Sequence, residues 1–196
     1  PVINRFPEHD VHPPPKHPKT VPGQSSFAKK VLLLSDSILG RIQMKLFNKE
    51  LTSSFAYRKY FPGASAAEIA EYVVSILKKD KLDAIVIQAG CNSLPNKEVG
   101  AIADDIFEIV NLCHEHGVND IFVSGITHRY FYANKVRELN EYLNQHSAAF
   151  EFNFINNDDI LPADIINDGI HLNLMGLYKI ARNIIKSINA LSNYER

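Results

Sequence analysis

The stretch Lys30-Val-Leu-Leu-Leu-Ser35 decides the fold, because it is a continuous apolar run that ends in polar residues. A strand buried on both faces of a sheet has this pattern, whereas a strand with one face in water alternates apolar and polar side chains. Two further runs, Asp83-Ala-Ile-Val-Ile-Gln88 and Asp120-Ile-Phe-Val-Ser124, are nearly as apolar. We therefore predict a sheet whose central strands are covered by helices on both sides.

Stretches with helical spacing separate these runs, so that five strands and five helices alternate along the chain. The strands are predicted at 30–35, 54–61, 83–88, 120–124 and 152–156, and the helices at 37–48, 64–79, 96–116, 133–150 and 172–191. In the first helix, Ile38, Ile42 and Leu46 lie on one side. This alternation with short connections predicts an α/β fold, a three-layer α/β/α sandwich around a parallel sheet.

The composition is that of a globular protein, with 45% hydrophobic and 22% charged residues in a chain of 196. The net charge of −1 gives no strong attraction to nucleic acid or to an anionic membrane, so we predict no direct nucleic acid binding by the domain. No apolar run reaches the roughly 18 residues that a transmembrane segment needs. Two cysteines form no disulfide framework, and with no secretory signal in this chain they weakly favour an intracellular location. The chain starts at Pro1 rather than Met, so we expect it to be a fragment or a processed product.

Residues 1–29 differ from the rest, because they contain seven of the ten prolines. Proline fixes φ and removes a backbone donor, so this segment is predicted to be an extended arm, and residues 30–196 the folded domain. The arm could be a linker or a strap along the domain. Its three histidines, His9, His12 and His17, lack the rigid scaffold of a metal site, and we predict none there.

Ser37 directly follows the first predicted strand. In open parallel sheets, ligands bind outside the carboxyl ends of the strands, which places Ser37 at the expected binding edge. Two interpretations are open at this point. Ser37 or Asp36 could cap the following helix, or Ser37 could be a nucleophile near the free amides of its first turn.

Asp168 and His171 lie in the last loop, before the final predicted helix. An aspartate three residues before a histidine can orient the imidazole where the chain turns, and Gly169 permits such a turn. The other ring nitrogen could then accept a proton from a serine. The alternative is that Asn167 or Asp168 caps the last helix and that His171 lies in its first turn.

Gly63 and Asn92 follow the second and third strands. The Gly63 amide and the Asn92 carboxamide could donate, together with the Ser37 amide, to a developing oxyanion. Both residues are equally at home in ordinary turns, and in isolation that interpretation is the simpler one.

Four segments in this order resemble the conserved blocks of the SGNH hydrolases, also called the GDSL family. They are Ser35-Asp36-Ser37-Ile38-Leu39, Phe61-Pro62-Gly63-Ala64, Gly90-Cys91-Asn92-Ser93 and Asp168-Gly169-Ile170-His171-Leu172-Asn173. The resemblance implies a flavodoxin-like sheet of five parallel strands in the order 2-1-3-4-5. It also implies carboxylic ester hydrolysis through an acyl-serine intermediate, without metal or organic cofactor. Ser37 would attack, His171 would act as base and then acid, Asp168 would orient His171, and Ser37, Gly63 and Asn92 would form the oxyanion hole.

Two positions depart from the family pattern. Ser35 replaces the first glycine of the nucleophile block, and Ser93 replaces the aspartate after the asparagine, which often supports that loop. These departures motivate a second hypothesis, a catalytically impaired module of the same fold that binds or scaffolds within a larger protein. A flavodoxin-like nucleotide binder is a third, but the loop after the first strand lacks a glycine-rich phosphate cradle.

The expected substrate is a short-chain acyl ester of a small molecule, a lipid or a sugar, because no apolar lid insertion lies between the four segments. Four side chains are predicted to contact it: Asp36, His128, Arg129 and Tyr130. Arg129 could bind an acidic substrate, although a surface arginine is the simpler interpretation. Residues 17–28, ahead of such a domain, resemble the tails that precede esterase domains in some animal retroelement proteins.

Overall fold

The computed structural model describes residues 28–194, and the side chains as far as residue 190. These residues form five strands and five helices in alternation. The strands are β1 (Lys29–Ser35), β2 (Ser54–Tyr60), β3 (Ala84–Gln88), β4 (Asp120–Ser124) and β5 (Asn153–Ile155). The helices are α1 (Met44–Lys49), α2 (Ala66–Lys79), α3 (Val99–Glu115), α4 (Ala133–His146) and α5 (Leu174–Tyr194).

The strands form one parallel sheet in the order β2-β1-β3-β4-β5. In β1, Val31 pairs with Ala56 on one side and with Ala84 on the other, so β1 is central. The chain moves from β1 to one neighbour, β2, and then crosses to the neighbour on the other side, β3. The ends of β1 and β3 therefore meet at the switch point where such sheets bind ligands. The predicted strand order and α/β/α architecture are confirmed.

Alternate side chains of the sheet enter two separate cores. Leu32 and Leu34 of β1 pack in the core covered by α2, α3 and α4. Val31 and Leu33 pack in the core on the opposite face, which α1 and α5 cover. This explains why residues 31–34 of β1 include no polar side chain, since both faces of the strand are dry there.

The first predicted helix, 37–48, is wrong in its middle. Ile38–Arg41 form a single 3₁₀ turn, Ile42 is extended, and α1 starts only at Met44. The cause is a tertiary contact: Nη1 of Arg58 donates to the carbonyl oxygens of Leu39 and Ile42, at 3.1 and 2.8 Å, and so occupies acceptors that a continuous helix would use. As a result Leu46, which helical spacing places on the same side as Ile38 and Ile42, is 53% exposed, whereas those two residues are buried.

The remaining element ends differ from the predictions by a few residues. Helix α2 begins after Ser65, which accepts from the Glu68 amide while Glu68 bonds back to the Ser65 amide, a capping box. Helix α4 ends at His146, four residues earlier than predicted, and Phe150 instead stacks on Phe107 with ring centroids 3.9 Å apart.

The predictions for the proline-rich arm and its three histidines, and the resemblance of residues 17–28 to retroelement tails, concern residues that, apart from residues 28 and 29, lie outside the described range. Within that range no helix is long and apolar enough to cross a membrane.

Candidate active site

Ser37 lies two residues after β1, at the sheet edge predicted for ligand binding. Its side chain makes no capping bond to the 3₁₀ turn that follows. The local cap comes instead from Asp36, whose Oδ1 accepts from the Ile38 amide at 3.0 Å. The capping interpretation of Ser37 is therefore wrong, and its hydroxyl is free to interact with another part of the chain.

Asp168 and His171 lie in a tight loop closed at its base by an antiparallel bridge between Ile165 and Leu172. Within the loop, Oδ1 of Asp168 accepts from the amides of Ile170 and His171, at 2.8 and 2.9 Å. Gly169 has φ +71°, a left-handed conformation that glycine adopts without strain. Helix α5 starts only at Leu174, so neither Asp168 nor His171 belongs to it.

Three side chains form a continuous hydrogen-bonded path. Oδ2 of Asp168 lies 2.7 Å from Nδ1 of His171, and Nε2 of His171 lies 3.0 Å from Oγ of Ser37. Because an ionised carboxylate can only accept, Nδ1 carries the proton, and Nε2 accepts from the Ser37 hydroxyl. This is the tautomer in which an imidazole can take a proton from a serine.

Asp168 is ionised in this arrangement. Partial burial works against the charge, but the bonds from the His171 amide, the His171 ring and the Ile170 amide outweigh it and lower the pKa of Asp168 below its ordinary value. The carboxylate is therefore available to orient His171 throughout the neutral range.

The three predicted oxyanion donors lie on the loops after β1, β2 and β3. In the described part of the chain, the Ser37 and Gly63 amides donate to no other protein group. Nδ2 of Asn92 donates to the Ala64 carbonyl at 3.0 Å, which ties the β3 loop to the β2 loop and leaves its second N–H without an acceptor there. Gly63 is exposed and has φ +79°, a conformation that favours glycine.

Two of the four residues predicted to contact substrate are buried, and that assignment is corrected. The side chain of Asp36 is completely inaccessible, and Arg129 is only 9% exposed, so Arg129 is also no surface arginine. Burial raises the pKa of Asp36 to about 7, although the Ile38 amide and the charges of Arg129 and His171 act in the opposite direction.

His128 and Tyr130 border a hollow of about 370 Å³ beside the Asp168 loop. The rest of its wall is mostly apolar and comes from Phe131, Pro162, Ile165 and Ile166, together with Asn167, Asp168 and Gly169. Neither Ser37 nor His171 lines it, so the hollow adjoins the hydrogen-bonded path on the side of Asp168. Tyr130 and Phe131 are 72% and 86% exposed and form an edge-to-face pair.

Sequence reasoning missed the contribution of Cys91, which contacts Arg129 inside the protein. It also missed Ile165 and Ile166 in the wall of the hollow, since apolar residues in a loop carry no chemical signal. Among residues 28–190, no three His, Cys, Asp or Glu side chains are grouped so that they could hold a metal ion.

The sequence matches no protein-family model and no curated protein. Solved structures do match. A member of the lipolytic G-D-S-L family from Veillonella parvula is 14% identical with a TM-score of 0.69, covering 80% of this chain and 96% of that one. A mutant of the Geobacillus acetyl-xylooligosaccharide esterase is 14% identical with a TM-score of 0.69, covering 82% and 94%. The lipase/acylhydrolase of Enterococcus faecalis is 17% identical with a TM-score of 0.69, covering 83% and 96%.

These similarities span nearly the full length of the matched structures, whereas the sequence identities are low. They agree with the strand order and with the resemblance carried by the four sequence segments. The chain therefore has the fold of the SGNH hydrolases, the fold shared by GDSL lipolytic proteins and esterases.

Proposed function

We propose that this chain is a serine esterase that hydrolyses carboxylic esters through an acyl-serine intermediate. One observation carries the proposal: the unbroken path from the Asp168 carboxylate through the His171 imidazole to the Ser37 hydroxyl, with both links at 3.0 Å or less. A serine whose only role was to cap a turn would have no need of an oriented imidazole.

In the proposed mechanism, Nε2 of His171 removes the hydroxyl proton while Oγ of Ser37 attacks the ester carbonyl carbon. The carbonyl oxygen becomes an oxyanion, which accepts from the amides of Ser37 and Gly63 and from the Asn92 carboxamide. The imidazolium then gives its proton to the departing alkoxide, and the C–O bond breaks. Water, deprotonated by His171, attacks the acyl-serine, and the returning proton regenerates Ser37.

The proposed substrates are esters with short acyl groups. Two structural neighbours are an acetyl-xylooligosaccharide esterase and an acetyl esterase, which makes acetyl esters the first substrates to test. The hollow bordered by His128 and Tyr130 offers aromatic and apolar surface to a part of the substrate remote from the scissile bond, such as a sugar ring or an aryl group.

The test compares release of nitrophenolate from p-nitrophenyl acetate by the wild type, Ser37→Ala and His171→Ala. We expect each variant to lose at least about 10³-fold in kcat, because nucleophile and base act as a unit. Matched controls are Ser75→Ala and His116→Ala, which alter an exposed serine and an exposed histidine and should leave the rate unchanged.

A fluorophosphonate probe provides an independent measurement. It should label the wild type and Ser75→Ala but not Ser37→Ala. Equal rates from the wild type, Ser37→Ala and His171→Ala, with no Ser37-dependent labelling, would contradict the esterase proposal and favour a binding or scaffolding module.

A further inference from the structure

Arg129 joins two loops of the sheet edge from inside the protein. It lies in the connection after β4, and its Nη1 donates both to the carbonyl oxygen of Cys91 at 3.0 Å and to Sγ of Cys91 at 3.1 Å. Cys91 belongs to the loop after β3, directly before Asn92. Burying a guanidinium costs free energy unless its N–H groups have acceptors. The two acceptors on Cys91 offset part of this cost.

A second buried titratable group, Asp36, lies near Cys91 and Arg129. The Asp36 carboxyl group, from the loop after β1, accepts from the Ile38 amide through Oδ1, while its Oδ2 is buried without a hydrogen-bond partner in the described part of the chain. Arg129 and Asp36 form no ion pair within 4.0 Å among the described side chains. Cys91 is thus held by Arg129 through its carbonyl oxygen and its sulfur.

The position of Cys91 determines that of Asn92. Asn92 is the next residue of the same short loop, and its carboxamide donates to the Ala64 carbonyl in the loop after β2. The next side chain gives no such anchorage, since Oγ of Ser93 is buried without a hydrogen-bond partner in the described part of the chain. The β3 loop is therefore secured through Cys91, through Asn92 and, further along, through the Leu94 carbonyl, which accepts from Lys135.

We propose that Arg129 is a positioning residue, which holds the Cys91–Asn92 loop so that the second N–H of Asn92 faces the oxyanion. The inference rests on the proposed esterase function, because it assigns Arg129 to the geometry of that oxyanion hole. Arg129 is only 9% exposed, and its hydrogen bonds within the described part of the chain go to Cys91 rather than to Ser37. It acts through the carbonyl oxygen and the sulfur of Cys91.

A positioning role differs measurably from a contribution to stability alone. Loss of an oxyanion donor slows chemistry by about a hundred- to a thousand-fold, and misplacement of one donor should cause part of that loss without weakening substrate binding. We expect Arg129→Met to lower kcat by about 10- to 100-fold with KM within about threefold of the wild type. Arg129→Lys keeps the charge and a donor, and it should recover part of the loss.

The control is Arg182→Met, which removes an exposed arginine that pairs with Asp159 at the surface and should leave kcat and KM unchanged. Thermal unfolding shows which variants are folded, and Arg129→Lys serves if Arg129→Met does not fold. A folded Arg129→Met whose kcat lies within twofold of the wild type would overturn the proposal; for Arg129→Lys, the Asn92 resonances decide.

A second readout does not depend on turnover. The side-chain amide resonances of Asn92 in a ¹⁵N–¹H NMR spectrum should shift in Arg129→Lys and remain in place in Arg182→Met. Unchanged Asn92 resonances would overturn the positioning role even in an active enzyme. If the wild type lacks Ser37-dependent turnover while these resonances do shift, the esterase proposal fails and the link from Arg129 to Asn92 remains.

Discussion

Nε2 of His171 lies 3.0 Å from Oγ of Ser37, although 134 positions separate the two residues in the chain. The contact joins the end of a central strand to a loop fixed by the Ile165–Leu172 bridge. The bond therefore depends on the tertiary fold, which brings the end of β1 beside this loop. Its consequences can be tested one side chain at a time.

Asp168→Asn tests the orientation of His171. An asparagine can turn its amide N–H towards Nδ1 and so favour the tautomer with the proton on Nε2, which cannot accept from Ser37. We expect kcat for p-nitrophenyl acetate to fall by about 10³- to 10⁴-fold, with little change in KM. Asp104→Asn, at an exposed site on α3, is the control and should behave as the wild type. Retention of a tenth or more of the wild-type kcat by Asp168→Asn would show that His171 does not depend on this carboxylate.

Gly63→Ala tests the loop that supplies the second oxyanion amide. A Cβ at Gly63 would meet no atom within 4 Å, so the only obstacle is its φ of +79°. An alanine there costs about 1–2 kcal/mol, and relief of that strain would turn the amide away. We expect lower thermal stability together with a kcat reduced by about tenfold or more.

Gly100→Ala is the matched control for this substitution. Gly100 lies in the first turn of α3, where a Cβ would also meet nothing within 4 Å and where no positive φ is required. Alanine should stabilise the helix by about 0.5–1 kcal/mol and leave kcat unchanged. Equal stability and activity of the two alanine variants would contradict the assigned role of the Gly63 backbone.

Much of this arrangement could be predicted from the sequence, because the chemistry lies where apolar runs end. The run before Ser35 identifies β1 and places Ser37 after it, and the spacing of Asp168 and His171 around Gly169 allows the observed turn. The break at Ile42 could not be predicted, since it depends on Arg58 from another strand. The burial of Arg129 was missed for the same reason: its acceptors belong to Cys91, 38 positions away.

Combined substitution of Tyr130 and Phe131 by alanine tests the hollow beside Asp168. An aromatic pair contributes about 0.5–1.5 kcal/mol to a contact with another ring, which corresponds to about 2- to 10-fold in kcat/KM. We expect a loss of that size for p-nitrophenyl acetate, which carries an aryl group, and none for ethyl acetate. Tyr178→Ala removes an exposed ring outside the hollow and should affect neither ester. An equal loss for both esters would show that the hollow does not bind the aryl group.

Asp36→Asn tests the buried carboxyl group through the pH dependence of stability. Burial raises the pKa of Asp36 to about 7, against the weaker effects of the Ile38 amide, Arg129 and His171. Because the folded protein then binds this proton more tightly than the unfolded chain, Asp36 contributes stability that is complete below its ordinary pKa of 3.8 and is lost as the pH rises through about 7. The free energy of unfolding of the wild type, measured against Asp36→Asn by urea titration, should therefore fall between pH 4 and pH 7.

Asp164→Asn supplies a control of opposite sign. The bond from Lys179, aided by the Leu161 amide and opposed by burial, lowers the pKa of Asp164. Its contribution is present above the ordinary carboxyl pKa and is lost only as the pH falls through the lowered value, so the difference between the wild type and Asp164→Asn should stay level from pH 5 to pH 7. A level difference for Asp36→Asn over the same range would show that Asp36 ionises as an ordinary carboxyl group.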